Sequence, residues 1–591
     1  MQPESSILGY ERWLILAYEK VLQIFEAIYG ANLHKNYLNK IIDVLDNFSP
    51  TMPQPSTRLD SRDSLLITYG DAIQSEETPP IQTLHRFLST EVKDAISAVH
   101  LLPFFPYSSD DGFSVVEYTQ VNPDLGDWSD IVALGKDYDL AIDAVINHIS
   151  VESIWFQRFL AGDKPFTDYF ITIDPSEDLR EVFRPRDLPL LTLFETQSGQ
   201  KYVWTTFSED QVDLNYHNPE VLIEVIRILL MFVERGARYF RMDAIAYLWK
   251  DIGTSCIHLD NTHRVVQLLR AIFDAVAPYV QIITETNVPH EENVSYFGDG
   301  TNEAQMVYNF SLPPLVLNAF HHQNASILSR WAKTLKFPSD KTHFFNFTAS
   351  HDGIGITPAK GLIPDEDIQE MCEQIEALGG FVSYKINPDG SRSAYELNIN
   401  YLDALGDPNF PDEDDGLIAD RFLASQAIML ALKGVPGIYY HSLLGSRSWR
   451  EGVKHTGRKR TINREKLNYQ DLLDEVHKGG TLRSKVFNGY LDLLKARGEG
   501  AIEAFDPAAG QEIIEYDDRL FCIMRNALSG TQCVLCVMNV SRDGLVLDLD
   551  HDLYPGLWEI LYTHNSDLKL AGDVLQITFA PYGVIWLLNQ T

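Results

Sequence analysis

Eight short apolar runs, at 65–69, 98–102, 140–146, 237–242, 280–284, 305–308, 343–348 and 437–440, are spaced along the chain, and amphipathic stretches such as 219–235 and 262–277 lie between most of them. Strands buried on both faces read as continuous apolar runs, and parallel neighbours need a crossover long enough to hold a helix. The alternation therefore predicts parallel pairing and an α/β fold, the (β/α)8 TIM barrel. An open doubly wound sheet is the alternative. No glycine-rich phosphate fingerprint follows any of the runs, which disfavours the nucleotide-binding form of that sheet.

A chain of 591 residues is longer than such a barrel needs. Apolar residues recur at helical spacing through Leu14, Tyr18, Leu22, Phe25 and Ile28, then through Leu38, Ile41 and Leu45, so residues 8–48 are expected to be helical. Three prolines among small polar residues make 49–63 a linker. Residues 1–62 are thus expected to form an N-terminal helical extension and 63–506 the barrel. Two stretches, 149–207 after the third strand and 355–420 after the seventh, exceed a single helix and are read as inserted loop domains over the site. The acidic run 412–415 inside the second is read as a solvated face. From 507 to 591 short runs at 512–516, 520–525, 532–540, 545–549, 558–562, 575–579 and 584–588 predict a C-terminal antiparallel β domain.

Lys plus Arg number 48 and Asp plus Glu 83, giving a formal charge of −35. A surface of that sign opposes binding to nucleic acid and to anionic membranes, so neither is expected as a partner. Five scattered cysteines argue against a disulfide framework, and Cys533 with Cys536 reads as strand packing. No basic leader or long uninterrupted apolar stretch is found, and a cytoplasmic location is expected.

Catalytic groups of a barrel lie at the C-terminal ends of its strands. There the third run reads Asp143-Ala-Val-Ile-Asn147-His148, the fourth Arg241-Met-Asp243-Ala, the fifth Thr284-Glu285-Thr-Asn287, and the seventh Ser350-His351-Asp352. Each passes directly from apolar core into charge. Four such ends on one rim would bury many charges together, which is costly without a function. Adjacent strands four and five can place Asp243 and Glu285 at roughly the 5–5.5 Å separation that a retaining glycosyl transfer needs. Arg241, two residues before Asp243, is expected to share its side of the strand and keep it ionised.

These four segments resemble the motif regions of glycoside hydrolase family 13, the α-amylase superfamily. The resemblance implies that Asp243 is the nucleophile, Glu285 the general acid/base and Asp352 the transition-state stabiliser, with Arg241, His148 and His351 holding the sugar. The segments from Leu102 to Phe113, Arg184 to Thr192, Trp204 to Asp213 and Thr461 to Arg464 resemble the sucrose phosphorylase subfamily. That resemblance implies that Asp110 and Arg464 bind the glucosyl unit or phosphate and that Phe113, Phe207 and Gln211 line the sugar site. Arg186 or Arg184 is the implied phosphate arginine. Inorganic phosphate is then a co-substrate, with no cofactor and no metal.

The run from Asn387 to Asn398, the segment Gly253-Thr-Ser-Cys-Ile-His258 and the N-terminal extension are similar to those of glucosylglycerate phosphorylases. A glycerate carboxylate needs a cation, for which Arg392 is the candidate, with Tyr395 beside it as acceptor-binding. Glucose 1-phosphate is the expected product, with sucrose, sucrose 6-phosphate or glucosylglycerol as alternative donors. A family 13 hydrolase or transglucosidase, or an inactive binding module, are further alternatives. A small sugar and phosphate are the expected partners, in a monomer or homodimer.

Overall fold

The structure, a computed structural model, describes residues 4–30, 35–50, 55–186, 188–386, 391–410, 412–500, 502–550, 557–571 and 574–590. Four residues of the expected linker (51–54) and four of the run 387–398 (387–390) lie outside them.

A closed parallel barrel forms the centre. Its strands are β1 (Leu65–Thr68), β2 (Ala98–Leu101), β3 (Asp139–Ala144), β4 (Ala237–Met242), β5 (Gln281–Thr284), β6 (Met306–Tyr308), β7 (His343–Asn346) and β8 (Val435–Tyr439). They pair in sequence order, and β1 closes the ring by pairing with both β2 and β8. All eight arise from the apolar runs expected to be strands. Their buried Val, Ile, Leu and Phe side chains fill the barrel and meet the surrounding helices, including α3 (Pro219–Glu234) and α4 (Asp260–Val276).

The expected helical extension consists of two helices, α1 (Glu4–Tyr29) and α2 (Lys35–Asp46). The break follows Gly30, whose φ of +87° ends α1 in the left-handed conformation that glycine adopts without strain. Helix α1 packs on α4 and α2 on α3. Tyr29 donates to the Tyr216 carbonyl at 2.9 Å, and Lys40 pairs with Glu220.

After β3 the chain makes a short helix, Ile154–Leu160, and the hairpin of Leu191–Thr196 and Gly199–Trp204. After β7 it makes a three-stranded sheet in which Arg392–Asn398 lies between Ile354–Gly355 and Phe381–Ile386. Asp412, Asp414 and Asp415 of the acidic run are exposed, as expected of a solvated face, and Glu413 is the exception. Asp414 caps helix α5 (Asp415–Ala431) through the Gly416 and Leu417 amides. Glu413 turns inward, 6% exposed, between Arg421 (2.7 Å) and Arg542. It ties α5 to the C-terminal domain because two guanidiniums repay its desolvation.

That domain is an antiparallel sheet of β9 (Gly510–Ile514), β10 (Leu520–Asn526), β11 (Gln532–Asn539), β12 (Leu545–Asp550), β13 (Trp558–Ala571) and β14 (Val574–Gln590). The last two expected strands are one. β14 runs through Ala580–Gly583, and the register slips there against β13 between His564 and Ser566. A bulge, with Tyr582 at φ +54°, absorbs what the sequence suggests is a turn.

Candidate active site

Register builds the site. Arg241 on β4 stands beside Asp143 on β3 and Ile283 on β5, and the next step up places Asp243 and Glu285 at neighbouring strand ends. The pairing continues there, with the Glu285 amide donating to the Met242 carbonyl at 3.2 Å. Arg241 is buried, its Nη1 2.5 Å from Asp143 and 2.8 Å from Asp243, and its Nη2 3.8 Å from Glu285. One guanidinium therefore sits between the two carboxyl groups. His100 holds the other oxygen of Asp143 at 2.8 Å. Behind Asp243 the chain turns sharply. Ala244 has φ +49°, and its amide donates to Glu285 at 3.0 Å. A non-glycine residue in that conformation is strained, and here the strained turn aims an N–H at Glu285.

Burial raises both carboxyls. Glu285 is pushed up to about 7 by desolvation and by the charge of Asp243, against the pull of Arg241. Asp243 is pushed up to about 6 by desolvation, and the direct bond to Arg241 keeps it the more acidic of the two. Asp352 goes the other way. Its burial is outweighed by Arg460 at 2.6 Å and Arg464 at 3.2 Å, which hold it far below the usual carboxylate range. His351 lies 3.5 Å from Asp352, but burial drops it to about 3, so it is neutral there and the guanidiniums carry the effect.

The remaining wall comes from the loop after β2. Asp110, Asp111 and Gly112 all have positive φ, and a Cβ on Gly112 would lie 2.6 Å from the Pro103 carbonyl. This tight turn presents Phe113, which stacks on His351 at 4.7 Å. The Phe113 carbonyl accepts from Gln211 at 3.0 Å and faces His148 at 3.0 Å. Phe207 lies 5.3 Å from the His148 ring and under the Arg186 guanidinium at 5.5 Å.

The cavity has a volume of ≈80 Å³, several times the roughly 10–15 Å³ that admits one water. Of the candidate residues, Asp110, Phe113, His148, Arg186, Phe207, Gln211, Asp243, Glu285, His351, Asp352 and Tyr395 line it. Arg241 and Arg464 support it from behind, Arg464 by bonding Asp111 (2.6 Å), the His351 carbonyl (3.0 Å) and Asp352. Two candidates fall outside. Arg184 is exposed and turns back onto the Leu188 carbonyl, and Arg392 is exposed at the start of its strand, whose inward residues are Tyr395 and Glu396. Both readings treated a loop arginine as available to the site, and neither guanidinium reaches it. The sequence reading missed Arg460, Glu396, Asn287 and Phe310, which also line the cavity. The signal for two of them was adjacency, since Arg460 precedes the Thr461–Arg464 motif and Glu396 follows Tyr395.

Larger cavities of ≈990 and ≈890 Å³ open at the opposite end of the barrel, beside the starts of the strands. The first holds Arg238 paired with Asp139 and 3.8 Å from Asp63, but these sit at the starts of strands and not at the ends where Asp243 and Glu285 meet.

The α-amylase resemblance raises the question of a calcium ion at Asn147. The residues do not fit one. The Lys250 ammonium, 1% exposed, lies 3.1 Å from Asn147 Oδ1 and 2.8 Å from Asp213, occupying the place a cation between those groups would take.

The profile described as "Alpha amylase, catalytic domain" matches residues 93–353. A glucosylglycerate phosphorylase of Spirochaeta thermophila is 50% identical over 89% of this chain and 89% of its own. The chain belongs to the α-amylase family. A glucosylglycerate phosphorylase of Escherichia coli K12 is 42% identical over 96% of this chain and 100% of its own. The crystal structure of sucrose 6F-phosphate phosphorylase from Thermoanaerobacter thermosaccharolyticum superposes with a TM-score of 0.71, at 25% identity, over 82% of this chain and 95% of that one. Within the α-amylase family this is an enzyme of the phosphorylase type.

Proposed function

We propose that the chain transfers a glucosyl unit from 2-O-α-glucosyl-D-glycerate to inorganic phosphate, releasing D-glycerate and α-D-glucose 1-phosphate. The observation that carries the chemistry is the single guanidinium of Arg241 between Asp243 and Glu285. Asp243, the more acidic, attacks the anomeric carbon, while Glu285 gives its proton to the leaving oxygen. A β-glucosyl ester forms on Asp243. Phosphate then enters on the α face, Glu285 takes back a proton, and the ester opens with net retention. Asp352, held ionised by Arg460 and Arg464, opposes the positive charge that develops on the ring. Phe113, His148, Phe207 and Gln211 position the glucosyl ring, together with Asp110. The choice of glycerate is supported by the identity to phosphorylases named for that compound.

In this reading Arg186 takes the anionic acceptor, no cofactor or metal takes part, and the enzyme is a monomer or homodimer of the cytoplasm, where its five free thiols stay reduced. The test is a donor panel with and without phosphate, following glucose 1-phosphate. Glucosylglycerate should give the highest kcat/KM, and only with phosphate present. Higher efficiency on sucrose would overturn the acceptor, and glucose release without phosphate would overturn the phosphorylase reading.

A further inference from the structure

Two guanidiniums line the cavity, and they are not equivalent. Arg460 is fully committed. Its Nη1 lies 2.6 Å from Asp352, and its Nε and Nη2 lie 3.1 and 2.6 Å from the two oxygens of Glu396, a fork-to-fork pair. Arg186 is not. Among the described residues it pairs only with Asp110, at 3.4 Å, and its face rests on Phe207. Tyr395 lines the same wall, next to Glu396 in sequence.

A buried carboxylate such as Glu396 is a strange lining for a cavity that must admit phosphate. Asp110, Asp243, Glu285 and Asp352 already line it, and a further negative charge repels the incoming anion. Its geometry gives the reason. A neutral residue at 396 would leave the Nε/Nη2 fork of Arg460 open beside that of Arg186, and two open forks would hold phosphate more strongly than they hold a carboxylate, which carries less charge. Phosphate bound before the glucosyl ester forms would occupy the place of the glycerate group. One open fork lets the weaker anion compete.

We propose that Glu396 is a positioning residue that sets acceptor specificity: it withdraws Arg460 from anion binding and leaves Arg186 to receive, in turn, the departing glycerate carboxylate and the incoming phosphate. The inference rests on the phosphorylase reading above. It requires the two anions to compete for one place, and it makes Arg460 a latent phosphate site.

The experiment uses the full-length enzyme with α-D-glucosyl fluoride as donor, so that the result does not depend on glycerate, and measures the KM for phosphate in the wild type, Glu396→Gln, Arg186→Ala and the double variant. Glu396→Gln keeps the shape and one hydrogen bond to Arg460 while removing the charge. It should lower the phosphate KM by roughly five- to tenfold, the effect of one screened charge a few ångströms away. Arg186→Ala should raise it by at least as much, and the double variant should return toward the wild-type value because the Arg460 fork is released. A merely structural role for Glu396 predicts an unchanged phosphate KM with reduced kcat, and a double variant whose losses multiply; either result overturns the proposal. If Glu396→Gln does not fold, the wild type still decides. At concentrations above those that saturate turnover, phosphate should inhibit competitively with glucosylglycerate, and noncompetitive inhibition there refutes the shared site. A wild type that uses glucosyl fluoride but not glucosylglycerate removes the glycerate donor, while the KM ratios still judge Glu396.

Discussion

Two sets of buried arginines, Arg241, Arg460 and Arg464 at the C-terminal end of the barrel and Arg497 with Arg525 at the other, solve the same problem in opposite ways, while Arg238, also at the N-terminal end, pairs with Asp139 and Asp63 as the first set does. At the C-terminal end Arg241, Arg460 and Arg464 each face carboxylates, which raise all three above the usual arginine range despite burial. At the N-terminal end Arg497 faces only carbonyls, those of Ser61, Asp63 (3.4 Å), Leu430 (3.3 Å), Gly434 (3.3 Å) and Phe505 (3.2 Å). Arg525 beside it bonds the carbonyls of Gly510, Ala431 and Asp506 at 3.0–3.1 Å. Burial pulls both down, although a guanidinium remains charged. Carbonyl dipoles dissolve a charge and tie loops together, whereas carboxylates leave it coupled to groups that react. Substitutions at one end should therefore appear in kinetics and at the other in stability.

The largest effect tests the kinetic end. Asp243→Asn or Glu285→Gln should cut phosphorolysis by at least about 10³-fold, with no loss of melting temperature, because each removes a buried acid from a crowded site. A proportionate fall in melting temperature would erase the contrast. Next, Arg497→Met should cost about 3–5 kcal/mol in denaturant unfolding by stranding its carbonyls, while the folded enzyme keeps its KM values. A smaller effect is the pH profile. Cleavage needs Asp243 ionised and Glu285 protonated, so kcat/KM for the donor should fall below about pH 6 as Asp243 takes a proton and above about pH 7 as Glu285 loses one. Glu285→Gln should abolish the alkaline limb in whatever activity remains. The smallest effect is none: chelation should leave turnover and melting temperature unchanged, since Lys250 supplies the charge between Asn147 and Asp213.

The barrel was legible because each strand is a mostly apolar run, and the acids were legible because four of those runs end in charge. What could not be read was direction. Arg186 and Arg392 look alike as loop arginines, yet one rests on Phe207 in the cavity and the other faces solvent. Glu413 sits in an acidic run, and Arg421 a few residues on together with Arg542, distant in sequence, turn it inward. Arg460 and Glu396 lie 64 residues apart, so neither announces its partner. Local pattern sets the elements, and long-range charge pairing sets which side chains face the site.

The strained amide of Ala244 reaches Glu285 from the peptide that follows Asp243. The gap between the two acids is thus gauged by one backbone bond and by the spacing of two adjacent strands, neither of which belongs to the inserted segments. Exchanging those segments could retune what is held above the ring while the working distance beneath it stays constant, a division of labour that lets one catalytic caliper serve many leaving groups.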